Sequence, residues 1–399
     1  MEDPSAVVDI AVTDGRIAAV GVGLDPAAED VDVEGRLVVP GLVETHIHLD
    51  KAYIFDRCNI VRGDLAEAIS EVARLKKDFT PADIEARAGA TLARAVTGGT
   101  TRMRSHVEVD PVIGLKGVEG VRAAARAHAF AVDVEICVFP QEGLLNYPGT
   151  DALLVAALES GAASVLGAAP YTDSDPHGQI DWVFETARRF DVNIDMHLDF
   201  ALDATSMDVD HVCRRADEYG WGGRVAVGHM SKLASLDPER LARTADRLAA
   251  SGVAVTVLPS TDLFLMGREH DHAVPRGVAP AHTLCAHGVN CSLSTNNVMN
   301  PFTPFGDGSL MRIANLYANV AQLGRGDELA DCLRMITTAS ARLMNLADYG
   351  LRVGAPADLV VLDASGPAAA VAAIAPPLMG FKRGRRSFTR PAPTLHAPL

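Results

Sequence analysis

From residue 40 onward, short β-rich runs alternate with helical stretches until the chain has made eight of each. The runs are 42–48, 100–107, 132–139, 164–169, 193–197, 224–229, 253–258 and 290–295. Clear boundary signals lie between them. Thr80-Pro81 supplies an N-cap and a proline in the first turn, and Gly98-Gly99 closes that helix. Asp237-Pro238 opens a helix over 238–250, and Gly252 ends it. Stretches 180–190 and 327–344 carry apolar residues at three- and four-residue spacing, which predicts an amphipathic helix in each. Eight strands with helical crossovers is the count of a (β/α)8 TIM barrel, an α/β fold. An open doubly wound sheet competes, but no GxGxxG follows an early strand to support it.

The flanks read differently. Residues 6–40 alternate in strand fashion around Asp14-Gly15, a hairpin signature, and 350–390 again look strand-like. We expect residues 1–40 and 350–390 to form one small β-sandwich domain, 41–349 the barrel, and the Pro-rich 391–399 an extended tail. A chain of 399 residues, 48% hydrophobic, has room for this arrangement. No apolar run approaches the ~20 residues that span a bilayer. MEDPSAVVD lacks the basic-then-apolar pattern of a signal peptide, so the expected location is cytoplasmic. Six scattered cysteines without a CxxC argue against a structural zinc site and a disulfide framework. The net charge of −15 disfavours the phosphate contacts on which nucleic-acid binding depends. The expected partner is a small-molecule substrate, with no nucleic acid and no membrane; a homo-oligomer stays open.

A barrel carries its chemistry at the C-terminal ends of its strands. Here the first run ends in Thr45-His46-Ile47-His48-Leu49-Asp50-Lys51 and the second in His106-Val107-Glu108. The third ends in Pro140-Gln141-Glu142, the fifth in His197-Leu198-Asp199, the sixth in His229 and the eighth in Asn296-Asn297. One polar strand end means little, but six around one rim point to a site. Residues two apart on a strand share a face, so His46 and His48 can both project into the barrel mouth. Neutral imidazoles are common ligands for zinc and iron. His197 and His229 strengthen that reading; hydrogen-bonded core histidines are the alternative for both. His106 can equally belong to a polar network with Arg104 and Glu108. His128, His211, His282 and His287 fall in helical stretches, His270 and His272 in a polar loop, and Cys285 and Cys291 read as core. Phe200, Trp182, Trp221, Phe302 and Phe305 are candidates for an apolar lining, and 266–272 for a cover.

The segments VVPGLVETHIHLDK, MRSHVEVD, CVFPQEGLL, VNIDMHLD, VAVGHMS, NNVMNPFTPFGDG and PADLVVLD together resemble the amidohydrolase superfamily. Within it they resemble the cytosine deaminase-like and N-isopropylammelide isopropylaminohydrolase-like branch. The resemblance implies one divalent metal ion, zinc or iron, held by His46, His48 and His197. It places a fourth ligand and general base at the position of Asn296. It implies that His229 contacts the nucleophilic water or the group attacked, and that Gln141 bonds a ring or carbonyl atom of the substrate. Lys51, His106, Asp199, Phe200 and Asn297 complete the expected substrate side.

Two positions depart from the pattern. The branch carries a glutamate three residues after the strand-five histidine, where this chain has Phe200. It carries an aspartate at the end of strand eight, where this chain has Asn296. An amide oxygen can ligate a metal but cannot accept a proton at ordinary pH. Three imidazoles and an amide leave the dication uncompensated, which acidifies its water further and weakens its retention. The expectation is a metal-dependent hydrolase acting on a C–N bond of a small nitrogen heterocycle, cyclic amide or amidine, though not cytosine itself. His229, Glu142 or Asp199 would then handle the proton. The alternatives are a Lewis-acid lyase, isomerase or cyclase on the same barrel, and a catalytically impaired ligand-binding homologue.

Overall fold

The computed structural model describes residues 7–391 and 393–396. The first six residues of the expected β-domain, and 392 and 397–399 of the expected tail, lie outside the described residues.

Eight parallel strands pair in chain order to form the barrel wall. They are β4 (Leu42–Ile47), β5 (Thr100–Glu108), β6 (Asp133–Phe139), β7 (Val165–Ala168), β8 (Asn193–Leu198), β9 (Val225–His229), β10 (Val253–Val257) and β11 (Cys291–Leu293). Each begins and ends within two residues of its expected bounds. Runs such as VAVGH and VAVTV are buried throughout, because a barrel strand faces side chains inside and helices outside. The last strand is only three residues long, so the wall closes beyond its end. Asn296 forms a parallel bridge with Ile47, donating its N–H to His46 O at 2.9 Å and accepting from His48 N at 2.8 Å. That joint requires a φ of +63° at Asn296, a conformation asparagine tolerates better than most residues.

Helix signals are realised as written. Thr80 Oγ1 caps Pro81–Thr97 by accepting from Asp83 N, and Asp237 caps Pro238–Ala250 through Arg240 N. The single helix expected over 327–344 is instead two, Gly326–Arg334 and Thr338–Leu343. The break has a purpose in the backbone bonding. Met335 O accepts from Leu293 N and Ile336 O from Val43 N, so the interrupted turn supplies carbonyls to the barrel strands beside it.

At the chain ends, β1 (Asp9–Thr13) and β2 (Arg16–Gly21) form the expected hairpin, with positive φ at both Asp14 and Gly15. The strands β3 (Leu37–Pro40), β12 (Leu359–Leu362), β13 (Pro377–Lys382) and β14 (Arg385–Thr389) make a four-stranded antiparallel sheet in the order β14-β13-β12-β3. Ile17, Ala357 and Leu359 form a small core where the two chain ends meet, completing the small β-sandwich. All six cysteines are free thiols. No helix among the described residues is long and apolar enough to cross a membrane.

Candidate metal centre

His46 sits on β4, His48 just beyond it, and His197 on β8, all nearly inaccessible to solvent. Their Nε2 atoms converge: His197 Nε2 lies 3.1 Å from that of His46 and 3.1 Å from that of His48. Hydrogen bonds at the far side of two rings decide what these atoms present. His48 Nδ1 is 3.1 Å from His106 O, and His197 Nδ1 is 3.3 Å from Ala168 O. A carbonyl oxygen only accepts, so in both rings Nδ1 carries the proton. Burial holds all three imidazoles well below their ordinary range, so they are neutral. His48 and His197 therefore turn bare lone pairs toward each other with no proton between them. A cation resolves that repulsion. Bonds of about 2.1 Å at tetrahedral angles put ligand nitrogens about 3.4 Å apart, close to the spacing here.

Beside this trio, Asn296 Oδ1 is buried and has no hydrogen-bond partner, as a fourth oxygen ligand would be before an ion is added. This donor set fits a metal ion. It contains no carboxylate ligand, in keeping with the asparagine at this position.

The His48 and His197 imidazoles line a small cavity. His229, Lys51, Gln141, Phe200, Asn296 and Asn297 all reach its lining, as does Phe302. His229 Nδ1 bonds Asp262 Oδ1 at 2.6 Å, and Phe200 stacks on the His229 ring at a centroid distance of 3.7 Å. Lys51 Nζ donates to Glu108 Oε1 at 2.6 Å and to Gln141 Oε1 at 3.2 Å. Asn297 bonds inward, accepting from Asn300 Nδ2 at 2.7 Å.

Three expected residues are held elsewhere. His106 stacks on His46 at 3.6 Å, behind it, with Nε2 3.5 Å from Asp195 Oδ1, and does not line the cavity. Glu142 is drawn to the Lys76 ammonium, and burial raises its carboxyl to about 7. Asp199 accepts from Asp208 N and Val209 N and pairs with Lys232, which fastens the start of Val209–Tyr219. Neither acid lines the cavity. Trp182, Trp221 and Phe305 do not line it either, nor do His270 and His272 in the loop.

The structure also adds residues from the fourth and seventh barrel strands, whose ends the sequence reading passed over. Tyr171 follows β7, and Thr261 and Asp262 follow β10. The rim rule itself was the available signal. Proline turns at Pro170 and Pro259 disguised both ends as ordinary loop starts. Asp195 and Arg104, paired at 2.7 Å inside the barrel behind His46 and His106, lie within VNIDMHLD and MRSHVEVD, but nothing in either segment marks the two as a pair.

A model of the amidohydrolase family matches residues 58–387. The chain belongs to the amidohydrolase family. Among curated amidohydrolase relatives, N-isopropylammelide isopropyl amidohydrolase of Pseudomonas sp. (strain ADP) is 27% identical over 394 residues, covering 96% of this chain and 94% of that protein. Pterin deaminase of Rhizobium rhizogenes is 28% identical over 365 residues, 89% of this chain and 82% of that one. Among solved structures, 5-methylcytosine deaminase from Klebsiella pneumoniae with phosphonocytosine superposes with a TM-score of 0.93 at 29% identity, covering 98% of this chain and 97% of the other. Amidohydrolases are metal-dependent, and this chain keeps a donor set that suits an ion.

Proposed function

We propose that this amidohydrolase cleaves a C–N bond in a small nitrogen heterocycle, using one divalent ion, zinc or iron, held by His46, His48, His197 and Asn296 Oδ1. The convergence of three buried imidazoles, of which His48 and His197 face each other through bare Nε2 lone pairs, carries the reading. The named activities of its relatives, on ammelide, pterin and methylcytosine, support the class of substrate. A bound ion supplies Lewis acidity, activating water near neutral pH and polarising the carbon under attack.

The chain's own residues do the rest. His229 donates Nδ1–H to Asp262, which leaves Nε2 free toward the cavity to take a proton from the nucleophile and return it to the leaving nitrogen. Phe200 holds that ring in plane and keeps bulk water off it. Asn296 ligates but shuttles no proton, so His229 carries alone a task that a strand-eight carboxylate would share. Gln141 and Lys51, joined to each other and also in the lining, grip the substrate.

Metal quantification with turnover on a panel of amino- and oxo-azines, pyrimidines and cyclic amides tests this. One ion per chain with hydrolysis of at least one compound is the expected result; a folded, metal-loaded protein inert to the whole panel would overturn it. Asn296→Asp adds a charged ligand, and we expect slower metal loss to a chelator than in the wild type.

A further inference from the structure

Carbonyl oxygens fix the tautomer of His48 and His197, but not that of His46. The Nδ1 of His46 is buried and meets no hydrogen-bond partner. Its Nε2 lies 3.1 Å from the bare Nε2 lone pair of His197, so a proton placed there is shared between the two rings. Ligation needs the other tautomer, with the proton on Nδ1 and Nε2 open. What faces Nδ1 therefore bears on how well the trio takes an ion.

Asp195 faces it. Asp195 and His197 are two apart on β8 and share a face, as do Arg104 and His106 on β5. Asp195 Oδ1 is 4.0 Å from His46 Nδ1 and 3.5 Å from His106 Nε2. All three side chains are fully buried, and none of these three atoms has a hydrogen-bond partner. Unmet buried polar atoms are costly, and three around one spot mark a place where a bond is wanted. The other acids nearby are committed. Glu108, Asp110 and Glu142 surround Lys76, with Glu108 also on Lys51, and Asp262 holds His229. Glu44 accepts from the backbone N–H groups of His46 and Thr295 and leaves the ring nitrogens alone. Asp195 Oδ2 takes Arg104 at 2.7 Å, which keeps Oδ1 turned to the rings. Arg104 is shared with Glu135 at 2.6 Å, so these three groups carry one negative charge between them.

Resting on the metal-dependent reading of this site, we propose that Asp195 is a positioning residue for the ion. Its Oδ1 accepts His46 Nδ1–H when Nε2 ligates, and its charge, acting through that ring, stands in for the strand-eight carboxylate that Asn296 replaces. A carboxylate on the far nitrogen orients a ligating imidazole and makes it a better donor. Hydrogen bonds at active sites often run long until the site is filled, and the 4.0 Å separation is of that kind.

The test measures zinc affinity by chelator competition in the wild type, Asp195→Asn, Asn296→Asp and the double variant. In Asp195→Asn, Arg104 draws the amide oxygen and turns the NH2 toward His46 Nδ1, where it favours the tautomer that cannot ligate. Affinity should fall about 10- to 100-fold in the wild-type background. In the Asn296→Asp background a ligand already carries the charge, and the same change should cost about threefold or less. Equal losses in both backgrounds, as a merely structural role would give, or no loss in the wild type, overturn the inference. The wild type alone supplies a second readout should Asp195→Asn fail to fold. With a magnetic cadmium isotope as the probe ion, coupling to Nε2 marks the three ligating rings in the nuclear magnetic resonance spectrum of isotopically labelled protein. One of their Nδ1–H protons should lie downfield of the other two, because its acceptor is a carboxylate and theirs are carbonyls. Three protons at like field overturn it. A wild type that binds neither zinc nor cadmium overturns the metal-dependent reading and this inference with it. Metal binding with equal losses sinks this inference alone, and the expected losses without turnover of any panel compound sink only the hydrolase reading.

Discussion

A 2.6 Å bond joins His229 Nδ1 to Asp262 Oδ1, and both side chains are almost completely buried. Asp262 thereby sets which nitrogen of His229 faces the cavity and stabilises any positive charge the ring acquires. Asp262→Asn can present its NH2 to Nδ1, which would favour the tautomer with the proton on Nε2, the wrong one for a base. We expect kcat to fall by about 10²- to 10⁴-fold, the usual worth of a positioned acid–base group, with metal content unchanged. Loss of metal along with activity would instead make Asp262 a structural support. At this scale the sequence was informative wherever one residue type at fixed spacing carried the chemistry, as in His46-x-His48. It was silent where function depends on a pair brought together by folding. Asp262 is 33 residues from His229, and nothing local in PSTD marks it as a partner. The same holds for Glu142 and Asp199: each sits at a strand end, and nothing local shows that folding pairs them with Lys76 and Lys232.

Among elements, β9 shows how closely the wall is fitted to the site. Gly228 lies next to His229 on that strand, and a Cβ there would stand 3.2 Å from both Cε1 and Nδ1 of His46. The His46 ring has no slack on its other side, where His106 stacks at 3.6 Å. Gly228→Ala should therefore tilt His46 without disturbing the strand's backbone. Displacing a ligand's support of this kind costs about 10- to 100-fold in metal affinity. Chelator competition reads this directly, and unchanged affinity would show that the ring can shift freely. Elements were the most legible level of the sequence. Apolar runs bounded by Thr-Pro, Asp-Pro and Gly signals located all eight barrel strands to within two residues, because each signal acts locally. The helix break at 335–337 was hidden, since its cause is the demand of β4 and β11 for backbone acceptors rather than anything in its own apolar spacing.

Across the whole molecule, the small β-sandwich is tied to the end of the barrel away from the metal by one buried cation. Lys382 on β13 is 2% exposed and donates to Thr101 O at 2.9 Å and Asp358 Oδ2 at 2.8 Å, with Asp133 at 2.9 Å. Thr101 and Asp133 belong to β5 and β6, so the side chain crosses between the two units. Arg102 also reaches Asp133 at 2.8 Å and Asp358 at 3.3 Å, and Arg383 reaches Asp133 at 2.9 Å. Lys382→Met keeps the length of the stem but removes the charge, leaving two acids and a carbonyl to the remaining arginines. Breaking one partner of a buried pair costs about 3–5 kcal/mol, and the two arginines should hold the loss near the lower figure. The expected result is a lower denaturant midpoint at an unchanged slope, since the same surface is exposed on unfolding. A biphasic transition would show instead that Lys382 makes the sandwich and barrel unfold as one. Metal-loaded protein should retain its ion in either case, because the Lys382 partners and the histidine trio share no side chain. A variant that lost metal together with stability would mean that the sandwich supports the rim through the length of β5, from Thr101 to His106.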